Sequence, residues 1–372
     1  FSSRRRHTRF RNVTGVQTCA LPIYVERWYN SCKEADYHII ADTGSSDKTV
    51  EIANSLGIQV HHISVKPWRF DDARNAALCL VPSDADYCII MDMDEILIPG
   101  WKDELQKAYD AKDENGLPRP KHKLITDYDK DGNPTTSFYA NRIHTRDNYR
   151  WRHPIHEAIY RYPVVPERYF EIGLLMEHHQ DVTKSRGQYL GMLEMAVDED
   201  PTSSRNLYYY ARELFYNKEY LPAKKVFEEY LKYVQNFPEE KAYALRYLAK
   251  CDVNNAEKHL KESIKIFYCR EGVLALANHY YIKQQWKQLK KTAFEALEIT
   301  ERLNTFMTEE WAYGPMAYDL IALASWQLEE WDDALRYGEL ALEMAPDDER
   351  LANNVKFYRE KIDELHLRSD GG

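Results

Sequence analysis

The sequence predicts an α/β domain followed by an all-α domain of helical repeats, and three observations carry that prediction. Over roughly residues 24–160, short apolar runs alternate with helix-like stretches at the spacing of strand–loop–helix units, the pattern of a parallel sheet with helices on its faces. Beyond about residue 181 the strand-like runs stop. In that second region Ala211, Ala244, Ala277 and Ala322 recur at intervals of 33, 33 and 45 residues, a period that a plain helical bundle has no reason to keep.

The elements follow in order. VERWYNSCKEA reads as a helix leading into the apolar run Tyr37-His38-Ile39-Ile40-Ala41, which ends in Asp42-Thr43-Gly44-Ser45-Ser46-Asp47. Gly44 suits the turn, and Ser46 or Asp47 suits the cap of the next helix, KTVEIANSLG, stopped by Gly57. Ile58-Gln59-Val60-His61-His62-Ile63 alternates as a strand does; its two histidines have no partner motif and read as structural. After the helix DDARNAALCLV comes Tyr87-Cys88-Ile89-Ile90-Met91, a continuous apolar run of the buried-strand type. Residues 121–160 read as a hairpin around Asp131-Gly132-Asn133-Pro134, with extended segments after it.

In the repeats, Ala223, Ala256, Leu289 and Ala334 lie 12 residues after the four alanines. Small residues at two fixed points let paired antiparallel helices pack closely, and each pair leaves an apolar face for the next to cover. An insertion at residues 302–314 lengthens the last interval. The last unit, with Trp331, Ala334, Ala341 and Pro346, resembles the tetratricopeptide pattern, whose period is about 34. The tyrosines and tryptophans of the repeats fit helix-packing positions better than a ligand box.

Composition narrows the function. Of 372 residues, 44% are hydrophobic and 13% aromatic, enough for two domains with a core each. The net charge of −10 makes the chain a poor sequence-independent binder of nucleic acid. No apolar stretch approaches the roughly 18–20 residues needed to span a bilayer. Six cysteines without CxxC spacing read as reduced, mostly buried thiols, so the expected compartment is the cytoplasm.

The chemistry concentrates in two segments. In Met91-Asp92-Met93-Asp94-Glu95, three acids in four positions repel one another unless a cation sits among them. They follow an apolar run, at the carboxyl end where α/β proteins bind ligands, and a hard divalent ion carrying phosphates is the natural occupant. Asp42 ends the first strand; it is either a turn residue or a nucleotide-edge acid beside a helix N-terminus suited to anions.

Together, IIADTGSSDKTVEIANSLG, RFDDARNAAL and YCIIMDMDE resemble the family 2 glycosyltransferases of the GT-A fold, the nucleotide-diphospho-sugar transferase fold. The resemblance continues through Tyr149-Arg150-Trp151, His153-Pro154-Ile155-His156-Glu157, His178-His179-Gln180-Asp181 and Lys184-Ser185-Arg186. Helical repeats after the catalytic domain also recur in that family, so the match covers about residues 24–346. It implies a metal-dependent, inverting hexosyltransferase using a nucleotide-sugar donor, a UDP-sugar by preference. The acceptor is left open between a saccharide, a lipid-linked sugar and a peptide, and the repeats offer a surface for a protein partner. By the same resemblance, Asp42 contacts the base or ribose and Arg74 lies near the diphosphate. Asp92 faces the ribose and metal side, and Asp94 ligates Mn²⁺ or Mg²⁺. Glu157 is the general base, and His178 lies close to the metal, with His179 as the alternate. Without a metal or donor role, Arg74 would pair with Asp71 or Asp72, and Glu157 with Arg152 or Arg161.

Residues 1–23 stand apart. They hold five arginines and no acid, so the rest of the chain carries −15. SSRRRHTRF…VTGVQTCALPI resembles translated sequencing-adapter read-through, with a genuine basic arm as the competing reading. The expectation is a non-native segment at residues 1–23, a GT-A domain at 24–185 that lacks its first, interior strand, and TPR-like repeats at 186–366. Two other functions compete. One is nucleotidyl or phosphoryl transfer on the same scaffold, against which the chain has no P-loop. The other is a protein-binding repeat module with a degenerate transferase domain.

Overall fold

The structure, a computed structural model, describes residues 12–14, 22–128, 132, 134–179, 189–302 and 307–370. Strand and helix alternate through β1 (Asn12–Thr14), α1 (Pro22–Cys32), β2 (Tyr37–Asp42), α2 (Thr49–Ser55), β3 (Gln59–His62), α3 (Phe70–Cys79) and β4 (Tyr87–Ile89). Then come β5 (Glu95–Leu97), α4 (Trp101–Asp110), β6 (Arg119–Tyr128), β7 (Pro134–Ala140), β8 (Ile143–His144), β9 (Tyr149–Arg152), β10 (Ala158–Arg161), β11 (Tyr169–His178) and α5 (Tyr189–Glu199).

The apolar runs become central strands because both of their faces are covered. Successive side chains of a strand point to opposite faces. Ile40 and Ile89 accordingly pack with Trp28 of α1 and Ala53 of α2. Ile39, Ala41, Cys88 and Ile90 pack on the other side with Ala77 and Leu78 of α3 and with Trp151. The sheet order is β3-β2-β1-β4-β8, with β1 parallel to both of its neighbours and β8 antiparallel to β4. An interior strand was expected to be lacking; instead Asn12–Thr14 takes that place, pairing Val13 with Tyr37 on one side and Cys88 on the other. Valine and threonine suit such a position, and three residues suffice for a ladder bonded on both edges.

A second sheet, β5-β11-β6-β7, contains the expected hairpin as the antiparallel pair β6–β7; Asp131 and Asn133 of its turn lie outside the described residues. β9 and β10 form a separate two-stranded ribbon. The chain divides into two compact units between Glu199 and Asp200, so that α5 belongs with the sheets.

The second unit is helical: α6 (Ser204–Tyr216), α7 (Tyr220–Tyr233), α8 (Pro238–Cys251), α9 (Ala256–Ile266), α10 (Arg270–Ile282), α11 (Trp286–Glu298), α12 (Met316–Gln327), α13 (Trp331–Met344) and α14 (Glu349–Asp370). The periodic alanines sit on the first helix of successive pairs, and Ala211, Ala244, Ala277 and Ala322 are at most 1% exposed. Their partners Ala223, Ala256, Leu289 and Ala334 sit on the second helices and are also buried. Three of the pairs turn identically. Lys218, Gln284 and Glu329, each seven residues beyond its alanine, adopt φ of 65°, 55° and 59°. The next residue's N–H bonds back to Leu214, Tyr280 or Ser325 at 2.9 Å. That is the left-handed closure of a helix C-terminus. The pair α8–α9 instead turns through the 3₁₀ segment Val253–Asn255. Among the described residues, these four pairs with α14 as the last helix are the helical repeats that the alanine period implies. No helix among them is long and apolar enough to cross a membrane.

Candidate active site

Asp42 closes β2 with its side chain buried, 2% exposed. Its carboxylate accepts the N–H groups of Ser45 at 3.0 Å and Gly44 at 3.2 Å. The turn passes through Gly44 at φ 113°, a conformation that residues with a Cβ rarely adopt. Nδ1 of His62, at the end of β3, donates to the same carboxylate at 2.9 Å. Burial works to raise the Asp42 pKa, but the bonds from Ser45, His62 and Gly44 outweigh it and hold the group below its ordinary value.

The acids after β4 meet two arginines. The Asp92 N–H donates to Glu95 at 2.8 Å, folding the Asp-Met-Asp-Glu turn back on itself. Arg142 reaches this turn because its carbonyl accepts the Ile90 N–H at 3.0 Å, extending the β4–β8 ladder. Its Nη1 lies 3.0 Å from Asp92 Oδ2 and 2.9 Å from Glu95 Oε2. Arg74 approaches from α3, with Nη2 3.0 Å from Asp92 Oδ1. Its Nε donates to Glu157, and its guanidinium lies 5.0 Å from the centre of the Trp151 ring.

Asn75 locks α3 to β9 through two 2.9 Å bonds with the Trp151 backbone. The Phe70 N–H donates to the Pro154 carbonyl at 2.9 Å, which ties the start of α3 to the turn bearing Glu157. That turn holds His153 and His156 at φ of 81° and 51°, the kind of backbone strain that collects at functional sites. The two arginines invert the local electrostatics. Burial alone would raise the Asp92 pKa, yet Arg74 and Arg142 keep it well below the carboxylate range. Glu95, with no exposed surface, is instead pushed up to about 7 by burial despite Arg142.

Asp94 belongs to a second group. Antiparallel pairing of β5 with β11 sets His178 opposite Glu95, and the His179 N–H donates to the Asp94 carbonyl at 2.7 Å. His178 Nε2 thereby stands 3.6 Å from Asp94 Oδ2, and this carboxylate raises the His178 pKa against the effect of burial. His179 turns to Glu177 at 2.9 Å and stacks on Tyr128. Among the described residues no group of three or more His, Cys, Asp or Glu is arranged to hold an ion. Asp94 and His178 offer one carboxylate and one imidazole, a donor pair that fits a hard divalent ion whose shell phosphate oxygens complete.

Of the residues singled out in the sequence, Arg74, Asp92 and Glu157 are thus in direct contact, Asp94 stands beside His178, and Asp42 is held by its own turn. Arg74 does not pair with Asp71 or Asp72, which Arg69 takes at 2.9 and 3.4 Å. Sequence reasoning passed over Arg142, and it read His62 as structural, whereas His62 bonds to Asp42. The crowding of three acids did require a cation, and two arginines supply it; no local motif marks Arg142, which comes from 47 residues beyond Glu95. His62 was legible only through the parallel register that pairs it with Asp42.

Residues 22–171 match the family model described as glycosyl transferase family 2. No curated protein matches the chain. Among solved structures, YrrB, a TPR protein with an unusual peptide-binding site, is 15% identical with a TM-score of 0.36; the match covers 45% of this chain and 82% of that one. TTC0263, a TPR protein of Thermus thermophilus, is 18% identical with a TM-score of 0.33 over 45% and 88% of the two chains. MamA of Desulfovibrio magneticus is 12% identical with a TM-score of 0.37 over 45% and 89%. Residues 22–171, which hold Asp42, the Arg74–Asp92–Glu157 cluster and Asp94, are a glycosyl transferase family 2 domain.

Proposed function

We propose that this chain is a metal-dependent, inverting glycosyltransferase that moves a sugar from a nucleotide-sugar donor, a UDP-sugar by preference, to a hydroxyl-bearing acceptor. The observation that carries the reading is the meeting of Arg74, Asp92 and Glu157 in one cluster beside Asp94 and His178, past the carboxyl end of β4. That is where open α/β sheets receive ligands.

In this reading Asp42, held as an oriented acceptor by Ser45, Gly44 and His62, receives the N–H or O–H of the base or ribose. Asp94 and His178 would hold Mn²⁺ or Mg²⁺, which when bound would supply Lewis-acid stabilisation to the leaving diphosphate. Arg74 adds a permanent positive charge on the same side and orients Glu157 through its Nε. Glu157 takes the proton from the attacking hydroxyl, and attack opposite the leaving group inverts the anomeric centre. The stacked helices of the second unit would receive a protein or peptide partner.

A donor screen by thermal shift in the presence of Mn²⁺ tests the binding half. A nucleotide sugar at 100 times its Kd should stabilise the fold by about 2.7 kcal/mol. Glu157→Gln should keep that shift and lose transfer, whereas Asp94→Ala should lose the Mn²⁺-dependent part of the shift. Unchanged transfer in Glu157→Gln would remove the base from this scheme.

A further inference from the structure

The β9–β10 ribbon has two unlike faces. Trp151 and Ile159, paired across it, pack inward with Ala77 and Leu78 of α3. The other face carries Arg150 and Arg152, both exposed, and Tyr160, 38% exposed. From the end of β10 the chain continues as Tyr162-Pro163-Val164-Val165-Pro166, every residue of it exposed. Val164 is 87% exposed, and Tyr162 and Val165 are each 39%. The Tyr162 N–H is pinned to the Asn148 carbonyl at 2.7 Å, which holds the base of this tip against the ribbon. The Arg152 guanidinium lies 5.5 Å from the centre of the Tyr160 ring. Among the described residues, no carboxylate lies within ion-pair distance of Arg150, Arg152 or Arg161, although the chain as a whole carries −10.

An apolar tip beside the exposed guanidiniums of Arg150 and Arg152, neither of them near a carboxylate among the described residues, and beside two tyrosines has the composition of a membrane-interface element. Tyrosines sit at headgroup depth, apolar side chains enter the acyl boundary, and arginines meet lipid phosphates. The tip is exposed throughout and uncharged, while the positive charge of Arg150 and Arg152 beside it complements an anionic surface. We propose that this ribbon docks the protein on an anionic lipid bilayer, with Val164 and Val165 entering the headgroup boundary. The turn between β9 and β10 carries Glu157. That turn lies at the end of the ribbon away from the tip, and the docking does not rest on the transferase reading.

The test is sedimentation of the full chain with vesicles of phosphatidylcholine containing about one-third phosphatidylglycerol, against phosphatidylcholine alone. Binding should favour the anionic vesicles and weaken as salt rises. Val164→Ser with Val165→Ser should lower partitioning on the order of tenfold. Arg150→Gln with Arg152→Gln should lower it on the order of fivefold per charge removed. The five arginines of residues 1–23 are present in every variant, so the comparison isolates the ribbon. In a Val164→Trp variant, tryptophan emission should shift to the blue on adding anionic vesicles. Equal sedimentation of the native chain and both double variants would overturn the proposal. So would no sedimentation at all, or a dimer in solution that the serine variants dissolve. Each of these leaves donor binding, measured without lipid, untouched.

Discussion

Arg142 joins two carboxylates through one guanidinium nitrogen, and one of them, on Glu95, has no exposed surface. Arg142→Met would leave that acid buried without its cation. Breaking a buried pair from one side costs about 3–5 kcal/mol. The expected result is a lower urea midpoint, partly restored when Glu95→Gln is added, because the neutral amide no longer needs the arginine. Arg74 sets a different demand: its Nε and Nη2 serve two carboxylates at once while its plane lies against Trp151. A lysine is a point charge and cannot span that geometry. Arg74→Lys should therefore lower kcat/KM by about tenfold or more while leaving the fold intact by circular dichroism. Equal kcat/KM in the lysine variant would mean that charge alone is needed there.

The elements show where the helix pairs owe their spacing to small residues. A Cβ built at Gly338 of α13 would come within 2.9 Å of the Tyr358 ring on α14, so that contact admits glycine and little else. Gly338→Leu should cost about 1–3 kcal/mol, read as a lower melting temperature, with the donor-dependent shift of the first unit retained. This contact was not legible in the sequence, since it depends on how the last helix lies across α13. The alanine period was legible, because each repeat restates the same packing requirement at the same interval. The same contrast holds in the first unit. Ile39-Ile40-Ala41 and Cys88-Ile89-Ile90 announce themselves as doubly covered strands through local pattern alone. Arg142 and His62 act across the sheet, and only strand register brings them to Asp92 and Asp42. The strand at Asn12–Thr14 lay in a segment whose composition pointed elsewhere; pairing on both edges, rather than local pattern, makes it a strand.

Over the whole molecule, the response to acid should be governed by histidines kept neutral. His122 and His144 have no exposed surface, and burial pushes their pKa values down to about 3 and about 4. Below their ordinary value of about 6.5, the unfolded chain binds protons that the folded chain refuses, so stability falls as pH drops from there through about 4. At pH 5 each histidine accounts for up to about 2 kcal/mol of that loss. Glu95 runs the other way: its raised pKa favours the fold at low pH, and that contribution is lost as pH rises through about 7. His144→Gln should show a smaller drop in melting temperature between pH 7 and pH 5 than the native chain, whatever its stability at pH 7. The most direct test of the transferase reading is the identity of the nucleotide product. Incubated with a UDP-sugar, Mn²⁺ and an acceptor extract, the native chain should release nucleoside diphosphate, and Asp94→Ala should release none. Release of pyrophosphate, or an undiminished rate in Asp94→Ala, would contradict it.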